Sequence, residues 1–399
     1  MPGCQRECAE VSDGGVRSAR WLLAIVVFLI LYGSLFPFRF EGAGPTSVAE
    51  LLARLPWART TRSDIAANVL LYLPFGACLA WMLAPRLGGA LALTLAVALG
   101  ALLATTVEVM QMYEVRRISS VADIVYNTAG SAIGAALALA LRAAGTSLHR
   151  HPLDRVLAPP IAAALVLLWI GFRLVPFSPI ANPAQWLASA EALWRGSWWQ
   201  PWDTLRWLVP WLVVGHAVST LSRSGAGVRP LLLVMLAVAV GLLTLGGKQL
   251  TPAELTAMAL AAALTGLLAR LGGPRAAGLL ALALAALFAV NGLAPFNFGL
   301  DRDSFGWVPF AESLLRYRST NLPDMLGKCF TYGALVWLLT RSGRSPLGAT
   351  LLAGGLVLAV EILQIWLPGK TADITDPLLV AAAGGLLALF EGSPRARRG

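Results

Sequence analysis

Two carboxylates stand where an apolar chain has least reason to keep them: Glu108 near the end of one hydrophobic run and Asp123 at the start of the next. Glu108 is followed at i+3 by Gln111 and Asp123 at i+4 by Asn127, spacings that put each pair on one helix face. Asp64, Asn68 and Tyr72 make the same four-residue step on an earlier run, and Arg116 with Arg117 occupies the short link before Asp123. Glu108 and Asp123 are candidate catalytic groups, an acid and a base, if their surroundings hold them in different protonation states. Arginine forks suit phosphate oxygens, and side-chain amides suit sugar hydroxyls. Asp64, Asn68, Glu108, Gln111, Arg116, Arg117, Asp123 and Asn127 therefore form a candidate ligand-binding set. No nucleophile elbow, histidine base, metal-ligand spacing or phosphate-cradling glycine loop accompanies them, so neither a metal nor a cofactor is expected.

Structural explanations compete with these chemical ones. Asp64 and Asp123 open helices, where a carboxylate is favoured by the helix dipole. Gly130-x-x-x-Gly134 is most simply a site of close helix packing. Glu108 fits this view poorly, because a carboxylate near a helix C-terminus meets the wrong end of the dipole. A charge at mid-bilayer costs roughly 2.5–3.5 kcal/mol, so pairing with Arg116, Arg117 or Arg39 is expected.

The elements that must position these groups follow from composition. Of the 399 residues 57% are hydrophobic and 13% are charged, the latter about half the ~25% of soluble domains. That excludes a soluble globular protein. The +10 net charge comes from basic residues set singly between apolar runs, which reads as membrane anchoring and argues against a nucleic-acid partner. Runs long enough to span lie near 21–38, 65–84, 88–112, 121–141, 156–175, 204–221, 229–247, 253–270, 274–294, 323–340, 347–367 and 374–391. The fold class is all-α, a polytopic helical membrane protein of about twelve transmembrane helices.

Internal repetition organises them. Pro37-Phe38, Pro176-Phe177 and Pro295-Phe296 each end a run, and each is followed by a polar connection and a helix opening with Asp64, Asp203 or Asp324. This predicts three diverged four-helix repeats: a tail over 1–20, units over 21–143, 156–271 and 274–391, and a basic tail over 392–399. The third unit offers Asp324, Lys328, Tyr332, Glu361, Gln364 and Asp373 as a secondary site, with Ala372-Asp373-Ile374 matching Ala122-Asp123-Ile124 and Pro377 at the Asn127 place. The middle unit is eroded, with Glu254 near the Asp123 place. Denser basic residues on one side place both termini in the cytoplasm and the polar set near the outer interface. The 177–203 connection, with Trp186, Trp194, Trp198, Trp199 and Trp202, reads as an aromatic segment at headgroup level.

At these residues the chain resembles the VanZ-like family. The matching pieces are Tyr32-Gly-Ser-Leu-Phe-Pro-Phe, Asp64-x-x-x-Asn68-Val-Leu-Leu-Tyr-Leu-Pro-Phe-Gly76, Glu108-x-x-Gln111, Arg117-x-x-Ser120 and Asp123-Ile-x-x-Asn127-x-x-Gly130-x-x-x-Gly134, over about 22–142. Residues 287–391 look like a degenerate second such domain. The resemblance implies a multi-pass protein of the bacterial plasma membrane, in an envelope setting named for resistance to the glycopeptide teicoplanin, and it supplies no reaction. The expected function is an accessory or binding protein for a lipid-linked or headgroup ligand at the outer leaflet. Its expected partners are membrane lipids and a lipid-linked cell-wall or polysaccharide precursor. A secondary transporter is an alternative, as is an intramembrane enzyme using Glu108 and Asp123.

Overall fold

The computed structural model describes residues 20, 22–41, 50, 56–57, 62–114, 119–147, 160–175, 177–180, 182–221, 228–246, 248–300, 304–311 and 322–391. Each expected run holds a helix. They are α1 (Leu22–Leu35), α2 (Arg62–Leu87), α3 (Gly89–Gln111), α4 (Val121–Ser147), α5 (Pro160–Leu174), then, after an additional helix α6 (Pro183–Arg195), α7 (Pro201–Leu221), α8 (Val228–Thr244), α9 (Pro252–Arg270), α10 (Gly273–Leu293), α11 (Leu322–Arg341), α12 (Pro346–Gln364) and α13 (Thr375–Glu391). Six of these, α2, α3, α4, α9, α10 and α12, are long and apolar enough to cross a membrane, by length and composition. Helices α1, α5, α8 and α13 are apolar but shorter. The unexpected α6 lies in the tryptophan-rich connection. Asn182 caps it by accepting from the Ala184 N–H, with Pro183 at its first position.

The chain forms two compact units, one built on α1–α4 and the other on α5–α13. The first packs Val26, Ile30, Tyr72, Phe75 and Val107 into one core. Its tightest crossing is α2 on α4. A Cβ on Gly134 would lie 1.9 Å from the Leu73 carbonyl oxygen, one on Gly76 1.9 Å from that of Ser131, and one on Gly130 2.4 Å from that of Val69. These glycines let the two backbones touch, as expected of the Gly-x-x-x-Gly spacing. Between α2 and α3 the chain reverses through Gly88 at φ 78°, a conformation that favours glycine.

In the second unit the middle and last groups of four helices share one core. Trp169 of α5 sits 5.4 Å from Trp211 of α7 and 4.9 Å from Phe330 of α11, ring centre to ring centre. Three rings from three helices close this junction.

One turn recurs at three places. Phe38, Phe177 and Phe296 have φ of 62°, 52° and 63°. Their N–H groups donate to the carbonyls of Leu35, Leu174 and Leu293 at 2.7, 2.8 and 2.8 Å. After each turn the chain is tied to the link between the third and fourth helix of its own group. The Val121 N–H donates to the Pro56 carbonyl at 3.2 Å. Strand β1 (Ser178–Pro179) pairs antiparallel with β2 (Leu245–Gly246). Gly306 donates to Ala372 and accepts from Ile374.

Candidate functional site

In the first unit the close α2–α4 crossing brings Asn68 and Asp123 together, the Asn68 Nδ2 donating to Asp123 Oδ1 at 2.7 Å. Asp64 is half-buried in the first turn of α2. One turn further along the same two stripes lie Tyr72, fully buried, and Asn127, 5% exposed. Neither the Tyr72 hydroxyl nor Asn127 Oδ1 has a hydrogen-bond partner. Two buried polar atoms without partners, one turn along from an amide–carboxylate pair, leave hydrogen-bonding capacity to spare.

Glu108 has a structural task that its place in the sequence hides. Its Oε2 accepts from the Ser120 N–H at 2.9 Å, and the Ser119 hydroxyl donates to its backbone carbonyl at 2.7 Å. Glu108 closes its own helix but caps the next one, so its carboxylate meets the positive end of α4. The dipole objection to a structural role is thereby removed. Gln111 donates from Nε2 to the Ser34 carbonyl at 2.8 Å, capping the end of α1. Arg116 and Arg117 lie outside the described residues, and Arg39 is exposed.

The last four helices reproduce this wiring with different side chains. Glu361 Oε2 accepts from the Asp373 N–H at 2.8 Å, again across twelve residues, and Gln364 Nε2 donates to the Gly292 carbonyl at 3.1 Å. Asp373 then accepts from the Thr375 N–H at 2.7 Å, as the Ser120 hydroxyl accepts from Ala122. The hydrogen bonds therefore place Asp373 opposite Ser120 and Asp376 opposite Asp123, three residues from the register that the shared Ala-Asp-Ile triplet suggests. Pro377 thus falls opposite Ile124, and Val380 opposite Asn127. Lys328, at the Asn68 place, donates to Asp376 Oδ1 at 2.8 Å, and the Tyr332 hydroxyl to Oδ2 at 2.5 Å. Asp324 is exposed in the first turn of α11.

The middle group encloses its own ion pair. Thr251 caps α9 by accepting from the Glu254 N–H, so Glu254 stands three residues past the cap, as Asp123 and Asp376 do. Arg173 Nε donates to Glu254 Oε1 at 2.9 Å and its NH2 to Oε2; the side chains are 4% and 0% exposed. The guanidinium also lies 4.3 Å from the Trp207 ring centre. In the link ahead of α9, Lys248 Nζ donates to the Phe172 carbonyl. Burial pushes this ammonium down to about 8, Arg173 adding to the shift while Glu254 and Asp324 oppose it.

Sequence reasoning missed Asp376 and Arg173. Carrying the Glu108-to-Glu361 offset forward would have found the first. The second is a lone arginine inside an apolar run, which by itself predicts a buried partner. Within the second unit a cavity of about 740 Å³ opens among the ends of α5, α10 and α12 and the starts of α7, α11 and α13.

Long apolar helices packed through glycines, with polar groups gathered at helix ends, define a multi-pass helical membrane protein. Residues 21–142, which carry α1 to most of α4, match the VanZ/LLP1 family. No curated protein and no solved structure matches the chain.

Proposed function

We propose that the protein is an accessory or binding protein of the bacterial envelope that holds a lipid-linked or headgroup-bearing ligand at the outer leaflet. Its VanZ-like unit binds through the α2–α4 end, with Asn68, Tyr72, Asp123 and Asn127 making the contacts. The observation that carries this reading is the pair of buried, unpartnered atoms at Tyr72 and Asn127, directly along the helix from the Asn68–Asp123 hydrogen bond. An uncompensated buried polar group costs about 1–3 kcal/mol, and ligand hydroxyls would remove that cost. Glu108 is engaged at a helix start, which favours binding over proton transfer by that residue.

The chain lies in the plasma membrane with both termini in the cytoplasm, and its helices descend from three diverged four-helix copies. The thrice-used phenylalanine turn and the acid three residues past each cap support this descent. Exposed tryptophans support contact of the second unit with the membrane interface: Trp194 and Trp199 are 79% and 85% exposed. The family resemblance supports a link to glycopeptide resistance.

The test uses the full chain in detergent and a polyprenyl-diphosphate-linked sugar as probe. Saturable binding is expected, weakened about ten-fold by Tyr72→Phe combined with Asn127→Leu at unchanged unfolding temperature. Equal binding by the double variant overturns the reading. Uptake of the probe sugar into proteoliposomes, lost in Asp123→Ala, would replace it with transport.

A further inference from the structure

The family match ends at residue 142, and the cavity of the second unit lies wholly beyond it. Its walls combine two chemistries. Trp169, Trp207, Phe288 and Phe330 form an aromatic side, while three cations and four carboxylates stand at the helix ends. Most of these charges are already matched. Lys328 and Tyr332 hold Asp376, Glu361 holds the Asp373 N–H, and Arg206 stands 3.7 Å from Asp203 in an exposed pair.

Two side chains of opposite charge in the cavity wall make neither a hydrogen bond nor an ion pair among the described residues. They are Lys370, in the link between α12 and α13, and Asp324, at the start of α11. The Trp169 indole N–H is a third open group, on a side chain 2% exposed that lines the same space and has no hydrogen-bond partner. A buried donor without a partner is rare in native structures and points to a ligand acceptor.

A ligand of one charge would satisfy one of the two charged positions and leave the other facing its like. A zwitterion meets both. The primary amine suits the Asp324 carboxylate, and a phosphodiester oxygen suits the compact Lys370 ammonium and the Trp169 N–H. The aromatic side then packs the first methylenes of attached chains. A volume of about 740 Å³ falls in the range of small-molecule sites, roughly 300–1,000 Å³. The cavity lies at the ends of its helices, where headgroups, and not the bilayer midplane, are expected.

We propose that this cavity is a second ligand site, specific for a zwitterionic phosphoethanolamine headgroup, with phosphate at Lys370 and amine at Asp324. It is distinct from the VanZ-like unit's site and does not depend on it.

The experiment titrates purified full-length protein in detergent, following tryptophan fluorescence and native mass spectra. The probes are dioleoylphosphatidylethanolamine, dioleoylphosphatidylglycerol and soluble glycerophosphoethanolamine. Phosphatidylethanolamine is expected to bind saturably and about ten-fold tighter than phosphatidylglycerol, the worth of one charge-assisted contact. Lys370→Ala should weaken it about ten-fold, and Asp324→Lys should turn the preference towards phosphatidylglycerol. Asp324→Asn, a milder change at an exposed position, should erase the preference if the lysine variant does not fold. Gly385→Ala, where nothing lies within 4 Å, should leave all of these values unchanged. Ten-fold weaker binding of glycerophosphoethanolamine identifies a membrane lipid as the source, and equal binding identifies a soluble one. Indifference between the two lipids, or a preference untouched by the Lys370 and Asp324 variants, overturns the proposal.

Discussion

Glu108 and Ser120 are joined by a 2.9 Å hydrogen bond from the second residue's backbone to the first residue's carboxylate, and Glu361 and Asp373 repeat it at 2.8 Å. In both places the last turn of one helix supplies the cap for the next, so the link between them is fixed at both ends. The acid three residues further on, Asp123 or Asp376, is thereby set in register against the neighbouring helix.

This relationship separates a capping carboxylate from a proton-transferring one. Glu108→Gln keeps an acceptor oxygen and is expected to keep most of the protein's stability. Glu108→Ala leaves the Ser120 N–H without that partner and should cost about 1–3 kcal/mol. Thermal unfolding of the purified variants in detergent reads the difference. Equal loss in both variants would show that the negative charge, and not the acceptor, matters.

The α2–α4 contact is a matter of atomic space. Gly134→Ala would place a methyl 1.9 Å from the Leu73 carbonyl oxygen and drive the helices apart. The expected cost is about 1–3 kcal/mol or more, with loss of the Asn68–Asp123 bond. Gly385→Ala, where nothing lies within 4 Å, is the matched control. It should be neutral or stabilising, since alanine is the better helix former. Unfolding midpoints of the two variants measured side by side settle the comparison.

The Arg173–Glu254 pair should behave as a buried unit. Arg173→Leu alone strands a carboxylate that is 0% exposed and is expected to cost about 3–5 kcal/mol. Adding Glu254→Leu removes the stranded charge and should recover most of the loss. A double variant no better than the single one would mean that the residues do not act as a pair.

Lys248 gives a pH signature. Its ammonium titrates near 8 in the folded protein against an ordinary value of 10.5. Between those values the unfolded chain binds more protons at this group, so the group makes stability rise with pH across that window. Lys248→Gln should flatten this component while still capping the Phe172 carbonyl, as Gln111 and Gln364 cap Ser34 and Gly292. Unfolding temperatures from pH 7 to 11, wild type minus variant, would expose an absent or inverted slope.

The helices were legible because an apolar run has few ways to satisfy its backbone, and the Asn68–Asp123 neighbourhood because four-residue steps lie on one helix face. Register was harder to read. Ala122-Asp123-Ile124 and Ala372-Asp373-Ile374 are the same letters, yet one Asp lies in the first turn and the other is a cap. Helix geometry counts from the cap, and a short identical triplet does not reveal where counting begins. The capping contact of Glu108 was hidden for a related reason: its helix position is a property of the sequence, but its partner belongs to the start of the next helix. Arg173 and Glu254 are 81 residues apart, and nothing local to either announces the other.

The ring cluster of Trp169, Trp211 and Phe330 has a consequence for how the chain can be divided. The turn at Gly272 (φ 80°), between α9 and α10, looks like the natural place to cut between the second and third groups of helices. A scission there would part Trp169 from Phe330 and leave two raw aromatic faces where there had been one interior. Fragments cut at that point would have to find each other again, so the described helices from α5 onward are expected to fold as one unit.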